Sequence, residues 1–120
     1  MKYETIEPMS RAQVDEIIAW NDLERLRLVP VALGLHCEDL NWAIGKCIDL
    51  ARHSDPIVRG NALLSFGHFA RRFGSAHRKL VEPLIQEGLR DKSPYVRGHA
   101  LDAADDIDHF CTWKVKRKTK

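Results

Sequence analysis

One eight-residue segment occurs twice in the chain, as PIVRGNAL at residues 56–63 and as PYVRGHAL at residues 94–101. The two copies are identical at six positions and lie 38 residues apart. Asp55 precedes the first copy and Ser93 the second, and both residue types cap helices by accepting hydrogen bonds from free backbone N–H groups. Proline suits the first helical position, where no N–H is required, so each copy predicts the start of a helix.

Apolar residues follow each proline at the spacing of one helix face. They are Val58, Ala62, Phe66, Phe69 and Phe73 in the first copy, and Val96, Ala100, Ala104 and Ile107 in the second. Apolar stripes at residues 40–51 and 80–89 predict a further helix before each copy, and Pro83 predicts a kink or a late start in the latter. The unit is a helix, a capped turn and a helix. One such hairpin cannot bury its apolar face alone, whereas stacked hairpins can.

A degenerate earlier unit is indicated near the N-terminus. Residues 12–20 and 23–36 have apolar patterns of helical length around a turn at residues 21–22, but they lack the repeated segment. Terminal units of a stack commonly diverge because one face meets water. Residues 1–16 contain no apolar segment typical of a secretory signal, and the longest apolar run, 28–35, is too short to span a bilayer. We therefore expect a cytoplasmic protein without membrane contact.

The repeated segment and its cap resemble the turn and second helix of HEAT-like repeats, over about residues 38–111 and more weakly over 11–37. The resemblance implies an all-α fold, a short right-handed α-solenoid of about five to six helices. The expected parts are units 11–37, 38–74 and 75–111 in a single domain at 1–113, followed by a basic tail at 114–120.

The likeness is carried by matching positions of the two copies. They are Asp55, Pro56, Arg59 and Gly60 in the first, and Ser93, Pro94, Arg97 and Gly98 in the second. In the family, the arginine of this motif contacts the neighbouring repeat near its turn. The two glycines depart from the family pattern. Because glycine inside a helix costs about 1 kcal/mol relative to alanine, they predict a close approach of neighbouring backbones.

The sequence contains no evident constellation for catalysis or cofactor binding. Its three cysteines form no CxxC pair and lie among apolar neighbours, which favours buried reduced thiols. No GxSxG turn and no glycine-rich phosphate loop after a strand are found. A metal site of His68, Asp106 and His109 is an alternative, but no ligand spacing within a helix supports it. We expect no enzymatic activity, no cofactor and no metal.

Charge is distributed unevenly along the chain. Residues 114–120 carry five basic side chains and no acid, so residues 1–113 contain 14 basic and 17 acidic side chains. In the last predicted helix, Asp102, Asp105, Asp106 and His109 share one stripe by their i, i+3, i+4, i+7 spacing. A solvated face is the plain interpretation of this stripe, but an unneutralised acidic ridge also suits a basic partner.

Two basic stretches would suit an acidic partner such as nucleic acid instead. The tail is interpreted as a frayed, solubilising terminus, since seven residues without interleaved aromatic side chains supply only non-specific attraction to nucleic acid. A second basic patch lies near the end of the first motif helix. Its residues are Arg71, Arg72, Arg78 and Lys79. These residues keep nucleic-acid binding open as an alternative.

These features together predict a protein-binding module. Short single-domain chains made wholly of HEAT-like repeats resemble bacterial immunity proteins of the contact-dependent growth inhibition type. The resemblance implies a cognate toxin as partner, for which a nuclease with a cationic cleft would suit the acidic stripe. The candidate partner-binding residues are Trp42, His68, Arg71, Asp102, Asp105, Asp106 and His109. The alternatives are a nucleic-acid-binding helical repeat protein and an adaptor or lyase-like chaperone. We expect a monomer when the partner is absent.

Overall fold

The computed structural model describes residues 6–117, in which every regular element is an α-helix. The helices are α1 (Arg11–Trp20), α2 (Leu23–Leu26), α3 (Val29–His36), α4 (Leu40–Leu50), α5 (Pro56–Phe73), α6 (Arg78–Gly88) and α7 (Pro94–Phe110). The predicted all-α class is confirmed. Within residues 6–117, no helix combines the length and the apolar character needed to cross a membrane.

The described residues contain seven helices, more than the five or six expected. The difference arises at residues 23–36, where one helix was predicted and the structure has α2 and α3. Pro30 lies in the first turn of α3. Because proline cannot donate a backbone hydrogen bond to the preceding turn, a helix can begin near Pro30 but cannot pass through it without a defect.

The two copies of the repeated segment begin α5 and α7. The Asp55 carboxylate accepts a hydrogen bond from the Val58 N–H at 3.0 Å, and the Ser93 hydroxyl accepts one from the Val96 N–H at 3.4 Å. Gly74 ends α5 with a φ of 67°, in the left-handed region that glycine adopts without strain. Pro83 lies inside α6, which begins five residues earlier, so the alternative of a late start is wrong.

Helix α5 is the centre of the structure. It packs against α3 and α4 on the side of the earlier units and makes its most extensive contact with α7. Phe66 and Phe69 are fully buried at this centre. The buried Asn61 amide donates to the Arg27 carbonyl at 2.7 Å, and its oxygen accepts from the Tyr95 hydroxyl at 2.5 Å. One α5 side chain thus connects the first unit to the last.

The paired arginines of the repeat have different surroundings. Nε and Nη2 of Arg59 donate to the Asp91 carboxylate, in the turn of the next unit, at 2.9 and 2.8 Å. Nη1 of Arg59 donates to the carbonyls of its own turn, at His53 and Ser54. Arg97 reproduces the contact with its own turn, since its Nη1 donates to the Asp91 carbonyl at 2.8 Å. No described unit follows α7 to supply Arg97 with a carboxylate.

The paired glycines differ in the same way. A Cβ atom placed on Gly60 would lie 2.7 Å from the Tyr95 ring and 3.5 Å from the Val96 Cα, so the close approach predicted there is found. A Cβ on Gly98 would have no neighbour within 4 Å among the described residues. The expected close approach is therefore wrong for Gly98, because within residues 6–117 no helix packs on that side of α7.

The described part of the basic tail is folded against the helices. Val115 is only 4% exposed and belongs to the main core, and the Lys116 N–H donates to the Glu82 carboxylate at 2.8 Å. The prediction of a frayed terminus is therefore wrong for residues 114–117, because an apolar residue within the basic run is buried. Residues 118–120 of the predicted tail lie outside the described residues.

Candidate partner-binding face

The contact between α5 and α7 shows which face of a motif helix receives the next unit. A Cβ on Gly67 would lie 3.2 Å from the Ala103 Cα, as a Cβ on Gly60 would lie close to Tyr95. Leu63 packs against Gly88 of α6, where an added Cβ would lie 2.5 Å from a Leu63 methyl group. These α5 residues follow one another by three and four positions, so they form one stripe.

The equivalent stripe on α7 is exposed. The 38-residue offset maps Gly60, Leu63 and Gly67 to Gly98, Leu101 and Asp105. Asp102 and His109 extend the same stripe of α7, and we call these five residues the outer face of α7. All five residues are exposed, and Leu101 has 48% of its surface in contact with solvent. No helix within residues 6–117 covers this face. It contains three predicted partner-binding residues, namely Asp102, Asp105 and His109.

The acidic stripe is partly neutralised, contrary to the expected unneutralised ridge. Arg117 binds Asp105 at 3.2 Å and Asp108 at 2.9 Å, since the tail folds back along α7. Arg71 binds Asp106 at 3.1 Å. Among the described residues, no ion pair involves Asp102. The sequence could not reveal this pairing, because Arg117 meets the acids only through the fold of residues 111–117.

Asp106 and Arg71 lie between α5 and α7, whereas His68 lies on the side of α5 that faces Gly34 of α3, so none of the three is on the outer face. Arg71 donates through Nη1 to Asp106 and through Nη2 to Nδ1 of His68, the latter at 2.5 Å. His68 is only 5% exposed, and burial, together with the charges of Arg71 and Arg72, lowers its pKa to about 4. A neutral ring at pH 7 can accept this hydrogen bond at Nδ1. Arg71 thus joins α5 to α7 through Asp106 and is also bonded to the buried ring of His68.

The alternative metal site is not assembled. His109 is exposed on the outer face, whereas His68 is buried beside Arg71. Among residues 6–117, no group of three His, Cys, Asp or Glu side chains is placed to hold a metal ion. The guanidinium group of Arg71 binds both His68 and Asp106 where a cation would have to lie.

Trp42 lies on a different side of the molecule. Its ring is half-buried on α4, where Arg11 of α1 lies 4.9 Å and Lys46 lies 5.8 Å from the ring centroid. Cations at these distances are attracted to the ring face. Trp42 therefore stabilises the contact between α1 and α4, and the structure does not bring it to the outer face of α7.

The second basic patch is largely used inside the fold. Arg72 donates to the carbonyls of Gly34 and Cys37 at 2.8 and 2.9 Å, which ties the end of α5 to the end of α3. Arg78 binds Glu82 and lies 5.3 Å over the Trp113 ring. With Arg71 held by Asp106, only Lys79 of the four extends freely into solvent as an exposed residue with no ion pair among the described residues. The other three arginines are thus each engaged in an ion pair with a described carboxylate.

Gly98 and Leu101 of the outer face, and the neighbouring Arg97, were not recognised as a possible site from the sequence. Leu101 was not singled out, and Arg97 and Gly98 were assigned only structural roles. The signal was present in the repeat, because alignment of the copies pairs them with Leu63, Arg59 and Gly60, which all contact the next unit. The alignment does not show that α7 is the last described helix, so it could not show that these residues are exposed.

Comparison with known proteins gives a likeness in structure alone. No family model matches the chain, and no curated protein matches it. A chain in the crystal structure of a CDI complex from Cupriavidus taiwanensis LMG 19424 has a similar fold, with a TM-score of 0.78 and 23% sequence identity. The match covers 92% of this chain and 97% of that chain. At this identity the likeness shows that the two chains share a fold.

Proposed function

We propose that this chain is an immunity protein that binds the toxin of a contact-dependent growth inhibition system and blocks it by direct occlusion. The observation that carries the proposal is the likeness to a chain of a CDI complex, which extends over nearly the whole of both chains. The earlier resemblance to immunity proteins rests on the repeated segment and is independent of this match. The two lines of support therefore agree on a protein partner.

The outer face of α7 is the proposed contact surface. It is an exposed helix face in a protein whose other motif helix has the same face buried. Leu101 supplies apolar area, Asp102 supplies a carboxylate with no ion pair among the described residues, and the exposed Asp105 adds a carboxylate that it shares with Arg117; such carboxylates suit a cationic nucleic-acid-binding cleft. A toxin with nuclease activity would be blocked by these carboxylates in place of substrate phosphates.

The test begins with a tagged full-length chain captured from the native cell lysate at physiological salt, with and without nuclease treatment. One basic protein retained at one-to-one stoichiometry after nuclease is the expected result. That protein is then expressed alone and together with the chain, and growth should be inhibited only when the chain is absent. Retention of nucleic acid alone, lost on nuclease treatment, would overturn the proposal.

Charge reversal on the outer face tests the site. Asp102→Lys is the cleanest variant because no described ion pair involves Asp102, so the fold should be unchanged. Loss of growth protection is expected, with at least about tenfold weaker binding, since a like charge is placed opposite a cationic cleft. Asp49→Lys makes the same change on the exposed side of α4 and should protect fully. Equal protection by both variants would exclude Asp102 from the interface.

A further inference from the structure

The junction between α5 and the turn before α7 defines a binding code within the protein. Arg59 holds the Asp91 carboxylate with two hydrogen bonds, and Gly60 leaves space for the Tyr95 ring. Asp91 and Tyr95 are separated by four positions, across the start of α7. The receiving element thus recognises a helix start that presents a carboxylate and then an aromatic ring.

The same receiving residues recur at the N-terminal end of the outer face of α7. Arg97, Gly98 and Leu101 are the equivalents of Arg59, Gly60 and Leu63. Arg97 binds its own turn through Nη1, as Arg59 does, but no described carboxylate meets its Nε and Nη2. Within residues 6–117, a Cβ on Gly98 would meet nothing within 4 Å, and Leu101 is 48% exposed where Leu63 is buried. The residues that receive a helix start in the α5–α7 junction are therefore repeated on α7, but residues 6–117 contain no helix start that binds to them.

The two ends of the outer face differ in charge. Its C-terminal end carries Asp105 where α5 has Gly67, so a neighbouring helix cannot approach there as α7 approaches α5. Its N-terminal end keeps the glycine, Gly98, and Arg97 lies directly beside it in the chain. A ligand that uses the internal code is therefore directed to Arg97 and Gly98, where a guanidinium group favours a carboxylate in bidentate geometry.

We propose that Arg97, Gly98 and Leu101 form a docking site for a helix start of the partner protein that presents a carboxylate and, four residues later, an aromatic ring. The carboxylate binds Nε and Nη2 of Arg97, and the ring lies over Gly98 beside Leu101. The occupant is a segment of the toxin, so the identity of the partner rests on the proposed function. The binding code itself rests only on the junction between α5 and α7.

A synthetic peptide can test the code without knowledge of the toxin. The probe is the blocked peptide GLRDKSPYVRGHAL, which has the sequence of residues 88–101. It is titrated into the ¹⁵N-labelled full-length chain to about 1 mM, and amide shifts are followed by NMR. Saturable shifts centred on residues 97–101 are expected. Peptides with Asp→Asn or Tyr→Ala at the two recognised positions should bind about tenfold more weakly, because each lacks one recognised group.

A variant of the chain provides the matched control. Gly98→Trp fills the proposed slot and should abolish the shifts. Gly45→Trp introduces the same side chain on α4, where a Cβ also has no neighbour within 4 Å among the described residues, and should leave the shifts unchanged. Absence of saturable shifts at residues 97–101, or equal binding of all three peptides, would overturn the proposed code. Shifts at these residues on dilution of the chain alone would show that a second copy occupies the site, which also contradicts the proposal.

The peptide result is separable from the test of the proposed function. Failure of the peptide with full protection against a toxin would overturn the docking site and leave the immunity function standing. Binding of the peptide when no toxin is retained from the lysate would support the code and contradict the partner assigned to it. If Gly98→Trp abolished protection against the toxin and Gly45→Trp kept it, the docking site would be shown to take part in the immunity function.

Discussion

Gly60 and Gly98 hold the same position in the repeated segment, but in the described part of the chain Gly60 is covered by the Tyr95 ring and Gly98 has no neighbour. The Tyr95 ring fills the space above Gly60, and its hydroxyl is held by Asn61 at 2.5 Å. Gly98 is exposed. The role of a residue in a repeat thus depends on whether another unit follows it, because the space that it leaves is filled by residues distant in sequence.

Alanine substitution at the two glycines should change stability in opposite directions. Gly98→Ala removes a helical glycine without a clash and should raise the free energy of unfolding by about 0.5–1 kcal/mol. Gly60→Ala forces the Tyr95 ring to move and should lower it by about 1–3 kcal/mol. Urea unfolding followed by circular dichroism measures both. Shifts of the same sign would contradict the assigned packing.

The buried ring of His68 should make stability depend on pH. Burial lowers its pKa from 6.5 to about 4, so between these values the unfolded chain binds a proton that the folded chain does not. The His68 contribution to stability is therefore complete above about pH 6.5 and is lost as pH falls towards 4, by about 3 kcal/mol in total. His68→Gln should flatten this part of the profile.

Urea unfolding at a series of pH values checks the His68 prediction. His109→Gln, which changes an exposed ring on the outer face, should keep the slope of the native chain. An unchanged slope in His68→Gln would show that the buried ring is not the group responsible.

At the scale of the elements, helix starts were read well from the sequence and connections less well. Asp55, Ser93 and the prolines that follow them act on neighbours in the chain, so α5 and α7 begin where predicted. The break between α2 and α3 was missed because Pro30 can be placed in a first turn or in a kinked helix, and the pattern of apolar residues is the same for both.

Residues 114–117, after α7, are folded against the helices, which their run of basic residues did not predict. Val115→Ser should lower the free energy of unfolding by about 1–3 kcal/mol, because a buried apolar side chain is replaced by an unpaired hydroxyl. Lys116→Ala should have an effect below about 0.5 kcal/mol, since Lys116 binds Glu82 through its backbone N–H, which alanine keeps. Thermal unfolding of both variants tests this, and equal midpoints would contradict the observed packing of residues 114–117.

On the scale of the whole molecule, α5 makes the units interdependent. It packs against helices of the earlier units and against α7, and Asn61 bonds to both sides. The outer face of α7 combines an exposed apolar residue with polar residues, at positions whose counterparts on α5 pack against α6 and α7. The candidate site is thus the α7 counterpart of a face that α5 uses for packing.

Because α5 connects the units, unfolding should occur in one transition. Tryptophan fluorescence, with Trp42 on α4 and Trp113 after α7, should coincide with circular dichroism in urea. Asn61→Ala should shift both curves together by about 1–3 kcal/mol, because it removes two hydrogen bonds at a buried position. Asn41→Ala, which removes an exposed hydrogen bond to His77, is the matched control and should shift them little. Separation of the two curves would contradict the central role of α5.

The sequence by itself determined the all-α class, the two capped helix starts and the stripe of candidate residues on α7. These features depend on neighbours within one helical turn, where spacing alone places side chains together. Only the tertiary structure decided that the stripe is partly neutralised, that Asp106, Arg71 and His68 lie between helices, and that Gly98 remains open. Those outcomes depend on contacts between distant parts of the chain, such as Arg71 with Asp106 across 35 positions, which local pattern does not encode.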